Sequence, residues 1–294
     1  MTAPWRRAPE RSHRLALRLM RAIALGLGRR VARLVLHPIT AYFLAFGPRA
    51  RRASRAYLTR TLERQPGLAD LYRHFYTFAA TVLDRVYLLN ERFDLFSLEL
   101  HGAPALQAEL ARGRGALLVG AHLGSFEALR APGRRATGLR VAMVMYEENA
   151  RMVNEALEAI SPAARQDVIA LGRLDSMLRV RDLLAQGGIA GVLGDRALRE
   201  DEEVRTVRFL GAPARFPLGP FRMAAMLRCR VLFMAGLHLG GNRYALHFEP
   251  LADFSAPGAS PESALEAYVA CLERHCRAAP YNWFNFYDFW DETR

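Results

Sequence analysis

Residues Gly115-Ala-Leu-Leu-Val-Gly-Ala-His122 form a short apolar run bounded by glycine, too short for a buried helix and suited to a strand covered on both faces. Leu139–Tyr146 and Gly188–Gly194 repeat the pattern, with helical stretches at 149–160 and 174–186 between them. Strands alternating with helices predict an α/β fold: a mostly parallel central sheet with helices on both faces. Val231–Leu239 and Arg243–Pro250 read as a hairpin across Gly240-Gly241-Asn242. Ahead of the sheet, Leu71, Phe75, Phe78, Val82 and Val86 predict a helix over Gly67–Asn90. A last helix is expected over Pro261–Arg277, capped by Ser260. With 294 residues, 51% hydrophobic, the chain suits one large domain at 51–294 behind an appendage at 1–50.

The appendage predicts a location. Its longest uncharged stretch, Leu34–Gly47, is shorter than the roughly 20 apolar residues of a spanning helix. Read at 100° per residue, Arg11, Arg14, Arg18, Arg21, Arg29 and Arg33 share one side. Leu19, Met20, Ile23, Leu27, Val31 and Leu34 share the other. Such a helix suits the headgroup layer of an anionic membrane, or a face packed on its own domain. A second cluster, Arg49, Arg51, Arg52 and Arg55, extends that patch, meets an acidic protein, or is simply solvated.

The net charge of +12 favours an acidic partner: anionic lipid, an acidic carrier protein or nucleic acid. No nucleic-acid module is recognisable, so a basic nucleic-acid-binding protein is the lesser reading. Three cysteines without Cys-x-x-Cys spacing argue against a disulfide framework or a zinc site, and no metal is expected.

His122 stands where the first strand ends, the place where open α/β sheets bind ligands. Glu127 follows after Leu-Gly-Ser-Phe. A turn at Gly124 before a helix start would let the carboxylate take one imidazole N–H, leaving the other nitrogen to remove a hydroxyl proton. A structural histidine remains the alternative. Nucleotide-binding loops are absent from the sequence, and Ser125 lacks the Gly-x-Ser-x-Gly elbow of a hydrolase.

Gly115–Glu127, with its His-x4-Glu, resembles the first motif of the glycerolipid and lysophospholipid acyltransferase superfamily. Gly191-Val-Leu-Gly-Asp195-Arg196 and Phe209-Leu-Gly-Ala-Pro-Ala-Arg-Phe-Pro-Leu-Gly-Pro220 narrow the likeness to the lipid A late acyltransferases, of lauroyl or myristoyl type. The resemblance implies transfer of a fatty acyl group from acyl carrier protein or acyl-CoA to a lipid hydroxyl. It places the enzyme at the cytoplasmic face of the inner membrane, peripheral or monotopic, without a resident cofactor. His122 would be the base, Glu127 its orienter and Asp195 a supporting residue. In that chemistry the backbone N–H groups of Gly124 and Ser125 would face the oxyanion; Arg196 and Arg199 either hold an acceptor phosphate or a carrier-linked phosphopantetheine, or belong to a solvated loop that runs on into the charged stretch Arg199-Glu-Asp-Glu-Glu203.

Tyr146-Glu147 stands where the family usually has Tyr-Arg, with Arg151 the nearest replacement, and Asp195-Arg196 stands for Asp-Gln. The ending Tyr281-Asn-Trp-Phe-Asn-Phe-Tyr-Asp-Phe-Trp290 is similar to a branch found with polyene and unusual fatty-acid pathways. These differences admit an acceptor other than lipid A.

Overall fold

The structure, a computed structural model, describes residues 10–111, 113–135, 139–146, 167–172, 175–197 and 202–290. A long helix, α1 (Glu10–Phe46), kinked at Gly28, leads into α2 (Pro48–Leu62) and α3 (Leu68–Leu89). Then follow β1 (Ser97–His101), α4 (Ala103–Ala111), β2 (Ala116–Gly120), α5 (Phe126–Arg135), β3 (Val141–Tyr146) and β4 (Asp167–Leu171). The chain continues through α6 (Ser176–Ala185), β5 (Ile189–Leu193), a hairpin of β6 (Val204–Phe209) and β7 (Ala212–Pro217), and α7 (Gly219–Leu227). It closes with β8 (Arg230–His238), β9 (Arg243–Asp253) and α8 (Pro261–Ala278).

Seven strands form one sheet in the order β1-β9-β8-β2-β5-β3-β4. Every neighbouring pair is parallel except β8 and β9, the expected hairpin, which is antiparallel. Successive side chains of β2 point to opposite faces. Leu117 and Val119 enter one core with Leu183 of α6 and Leu265, Tyr268 and Leu272 of α8. Ala116 and Leu118 enter the other with Leu83, Val86 and Tyr87 of α3 and Ala128 of α5. Helices therefore cover both faces, and each fully buried leucine contributes roughly 1.5–3 kcal/mol.

The expected strands at 115–122, 139–146 and 188–194, the helices at 67–90 and 174–186, and the last helix are all present, within a few residues. Ser260 caps α8 by accepting the N–H of Ser263 at 3.1 Å. The helix expected at 149–160 lies outside the described residues. The β6–β7 hairpin and the edge strand β1 are not among the elements expected from the sequence.

Within α1 the side chains are described from Ala22 onward, apart from Ile23. Ala24, Ala32 and Leu36 pack into the core beside α3. Arg29 forms a two-pronged pair with the fully buried carboxylate of Asp84, at 2.7 and 2.8 Å. Arg33 donates to the Gly241 carbonyl at 2.6 Å and lies over the Tyr76 ring. The arginine side of the helix is thus turned inward here. Leu27, Val31, Leu34, Val35 and Ile39 are exposed instead, followed by Tyr42, Phe43 and Phe46.

No single helix among the described residues is long and apolar enough to cross a membrane, although Ala24–Phe46 and Pro48–Leu62, bent by 94°, meet that test together. The expected boundary at residue 50 falls inside α2, whose Tyr57 and Leu58 belong to the domain core.

Candidate functional site

The register of the sheet builds the site. β2 and β5 are parallel neighbours with Gly120 opposite Leu193. His122 and Asp195 each follow their strand end by two residues, so the same register brings them side by side. His122 Nδ1 lies 2.9 Å from Asp195 Oδ1, and the His122 backbone N–H donates to Oδ2 at 3.0 Å. Asp195 is fully buried. Its Oδ2 also accepts from Trp283 Nε1 at 3.1 Å and from Asn285 Nδ2 at 3.2 Å. Burial alone would raise the Asp195 carboxyl; the positive field of His122, its two donors and Arg196 outweigh that and hold it well below the usual carboxylate range.

Asp195 receives Nδ1–H, which places the neutral imidazole's lone pair on Nε2. The His122 side chain is 31% exposed, and Nε2 has no hydrogen-bond partner among the described residues. One nitrogen is fixed by a buried carboxylate and the other is open to a ligand. An imidazole held in this way is able to accept a proton at Nε2.

Gly124 makes the tight passage out of β2. Its φ is +71°, and a Cβ there would lie 2.0 Å from the Gly236 carbonyl oxygen. A Cβ on Gly236 would in turn lie 2.3 Å from the Ser125 oxygen. The two glycines let the chain press against β8 before α5 starts. Gly124 N–H donates to the Asn282 carbonyl at 2.8 Å and Ser125 N–H to the Gly236 carbonyl at 2.7 Å. Both donors expected to face an oxyanion are therefore committed to the backbone. Ser125 is buried, and its Oγ accepts the Ala128 N–H at 3.2 Å, which makes it a helix cap.

Glu127 does not meet His122. As the second residue of α5 it points to α3, where Oε1 lies 2.8 Å from Arg85 Nε, without a directed hydrogen bond. Its Oε2 is buried and unpartnered among the described residues. The carboxylate that meets His122 is instead Asp195, brought beside it by the parallel register of β2 and β5.

The C-terminal segment closes the back of the site. Trp283 is fully buried among Tyr57, Phe209, Phe289 and Trp290. These aromatics pack onto the domain. The Trp283 carbonyl lies 2.9 Å from Nε2 of the buried His74, whose Nδ1 meets the Ser54 hydroxyl at 2.8 Å. Trp283 also pairs with Leu123 in a short antiparallel bridge, and Phe284 N–H donates to the His122 carbonyl at 2.7 Å. Asn282 clamps both ends of its contact with β8: Oδ1 accepts from His238 N–H at 2.8 Å, and Nδ2 donates to the His238 carbonyl at 3.2 Å. Sequence reasoning singled out none of Trp283, Asn282, Asn285, His74 or Arg85 as site residues.

Arg196 is held by the same segment. It donates to Asn285 Oδ1 at 2.5 Å and the Phe284 carbonyl at 3.1 Å, and lies over the Tyr287 ring. Arg151 and Arg199 lie outside the described residues. All three cysteines are buried and free. Met143 and Met234 pack over Gly191 and Gly120 in the sheet, whereas Met226 is 73% exposed.

A family model described as bacterial lipid A biosynthesis acyltransferase matches residues 76–291, which span the sheet, His122, Asp195 and the closing segment. No curated protein matches the sequence.

Proposed function

Because the chain belongs to the bacterial lipid A biosynthesis acyltransferase family and is an acyltransferase, we propose that His122 is the general base for acyl transfer to a lipid hydroxyl. The observation that carries this is the pairing of His122 Nδ1 with buried Asp195 while Nε2 stays open.

In this reading His122 Nε2 takes the acceptor hydroxyl proton as its oxygen attacks the thioester carbonyl. The tetrahedral intermediate collapses, the C–S bond breaks, and the imidazolium returns its proton to the leaving thiolate. Asp195 stabilises the imidazolium and fixes its tautomer. The reaction forms no acyl-enzyme. With Gly124 and Ser125 committed elsewhere, the oxyanion falls to the N–H groups of Phe126 and Glu127 in the first turn of α5. Glu127 and Arg85 anchor that turn to α3.

The donor is a thioester on acyl carrier protein, which suits a chain of net charge +12. The acceptor is lipid A or a related lipid at the cytoplasmic face of the inner membrane. The exposed apolar side of α1 supports attachment there. The orientation differs from that expected, since Arg29 and Arg33 serve the protein rather than lipid headgroups.

Incubating the protein with acyl carrier protein thioester and a lipid A precursor should add one acyl mass to the lipid, read by mass spectrometry. Folded His122→Ala protein that transfers acyl groups at the wild-type rate would overturn the mechanism. Equal rates from acyl-CoA at every ionic strength would overturn the donor.

A further inference from the structure

A second cluster of chemically capable side chains lies on the face of the sheet under α8. His247 and Glu249 are two residues apart on β9, so they share a face. His275 reaches them from the last turn of α8. One nitrogen of each histidine and one oxygen of Glu249 all lie within 4.8 Å of one another. His275 Nε2 is 2.5 Å from Glu249 Oε1, and the His247 and His275 ring centroids are 4.5 Å apart. We propose that His247, Glu249 and His275 bind one divalent transition-metal ion of the zinc class, joining the end of α8 to β9.

The donor set is two imidazoles and a carboxylate, a combination suited to zinc and its neighbours rather than to magnesium or calcium. Zinc holds such donors at about 2.0–2.2 Å, so on binding the close His275–Glu249 pair would open and His247 would turn towards the ion. A metal would replace the proton shared by His275 Nε2 and Glu249 Oε1. Glu249 Oε2 would keep its contact with Arg274, leaving Oε1 as a single-oxygen ligand. Two neighbours complete the setting. His101 stacks on His247 at 4.7 Å, and Phe233 stacks on His275 at 5.2 Å, so both rings are held in orientation. A water would take the fourth position.

The position gives the ion a structural consequence. His275 lies in the last turn of α8, and the chain leaves that helix directly for Asn282, Trp283 and Asn285, which hold Gly124, Asp195 and the β8 end. A clamp at His275 would steady the start of that segment. The inference does not depend on the acyl-transfer mechanism.

Untagged protein, stripped of metal and titrated with zinc chloride, tests it by calorimetry and by elemental analysis after dialysis. One zinc per chain should be retained and the melting temperature should rise. His247→Ala, at a half-buried position, should weaken zinc binding by more than the roughly 10–100-fold that supporting partners of a metal site cost. Glu249→Gln should do the same and carries the test if His247→Ala fails to fold. His101→Ala should retain stoichiometric zinc. No zinc retained by folded wild-type protein, or binding unchanged in a folded His247→Ala or Glu249→Gln protein, would overturn the proposal.

Discussion

Nδ1 of His122 lies 2.9 Å from Oδ1 of Asp195, 73 residues away in sequence, and the two meet because β2 and β5 are adjacent parallel strands in matched register. Asp195→Asn should therefore behave like the loss of an orienting carboxylate. The turnover number should fall roughly a hundred- to ten-thousand-fold, as for His122→Ala, and the double variant should be little worse than either. Steady-state acyl transfer by folded variants checks it; an Asp195→Asn enzyme within threefold of wild type would contradict the assignment.

Glu127→Gln separates the two carboxylates. Glu127 is paired with Arg85 and not with His122. Its removal should act through the start of α5, so a Glu127→Gln loss should be partly reproduced by Arg85→Gln and should be additive with Asp195→Asn. Full non-additivity between Glu127→Gln and His122→Ala, with additivity for Asp195→Asn, would restore Glu127 as the orienter.

Trp283→Phe deletes the Nε1 donor to Asp195 Oδ2 and, because a phenyl ring is smaller than the fully buried indole, also opens a cavity. A hydrogen bond to a charged group contributes about 1.5–3 kcal/mol. Chemical denaturation should show a loss of at least that size, the cavity adding to it, and the rate should drop with it. Unchanged stability and rate would show that the bond contributes nothing measurable.

Acid should weaken the fold through His74. Burial pushes this imidazole down to about 4, outweighing the Trp283 carbonyl, which accepts its N–H and favours the charged form. The unfolded chain takes up that proton near pH 6.5, the native one only near pH 4. Stability from this group is complete above pH 6.5 and falls as pH drops through that window, by about 3 kcal/mol in total. His74→Gln should flatten that part of the stability–pH curve. A curve of the same slope in the variant would assign the loss elsewhere.

Arg29→Met should leave the Asp84 carboxylate buried with the Tyr244 hydroxyl at 2.9 Å and no cation. Stranding one member of a buried pair costs roughly 3–5 kcal/mol, and Arg29→Met with Asp84→Asn should recover part of it. On the other side of α1, Leu34→Glu with Phe46→Glu should shift the protein from the membrane to the soluble fraction without lowering its stability. A double-glutamate protein that stays with membranes would argue against that face as the anchor.

The amino-acid sequence by itself determined the elements with a strong local period. The glycine-bounded run before His122, its repeats at 139–146 and 188–194, the hairpin across Gly240-Gly241-Asn242 and the last helix are all local signals, carried by side-chain spacing within a single element. They sufficed to place His122 at a strand end, while the resemblance to the family rested on the motifs at Gly115–Glu127, Gly191–Arg196 and Phe209–Pro220. Which partner His122 takes was not local. A carboxylate five residues away and one 73 residues away were both available, and only the strand order, a property of the whole sheet, put Asp195 beside it. The arginine stripe shows the same division. Its spacing defined two faces of α1, but the buried carboxylate of Asp84 decided that Arg29 turns inward and the leucines outward. A charge pairs with whatever the tertiary fold brings within a few ångströms, and periodicity along one helix carries no record of that neighbour.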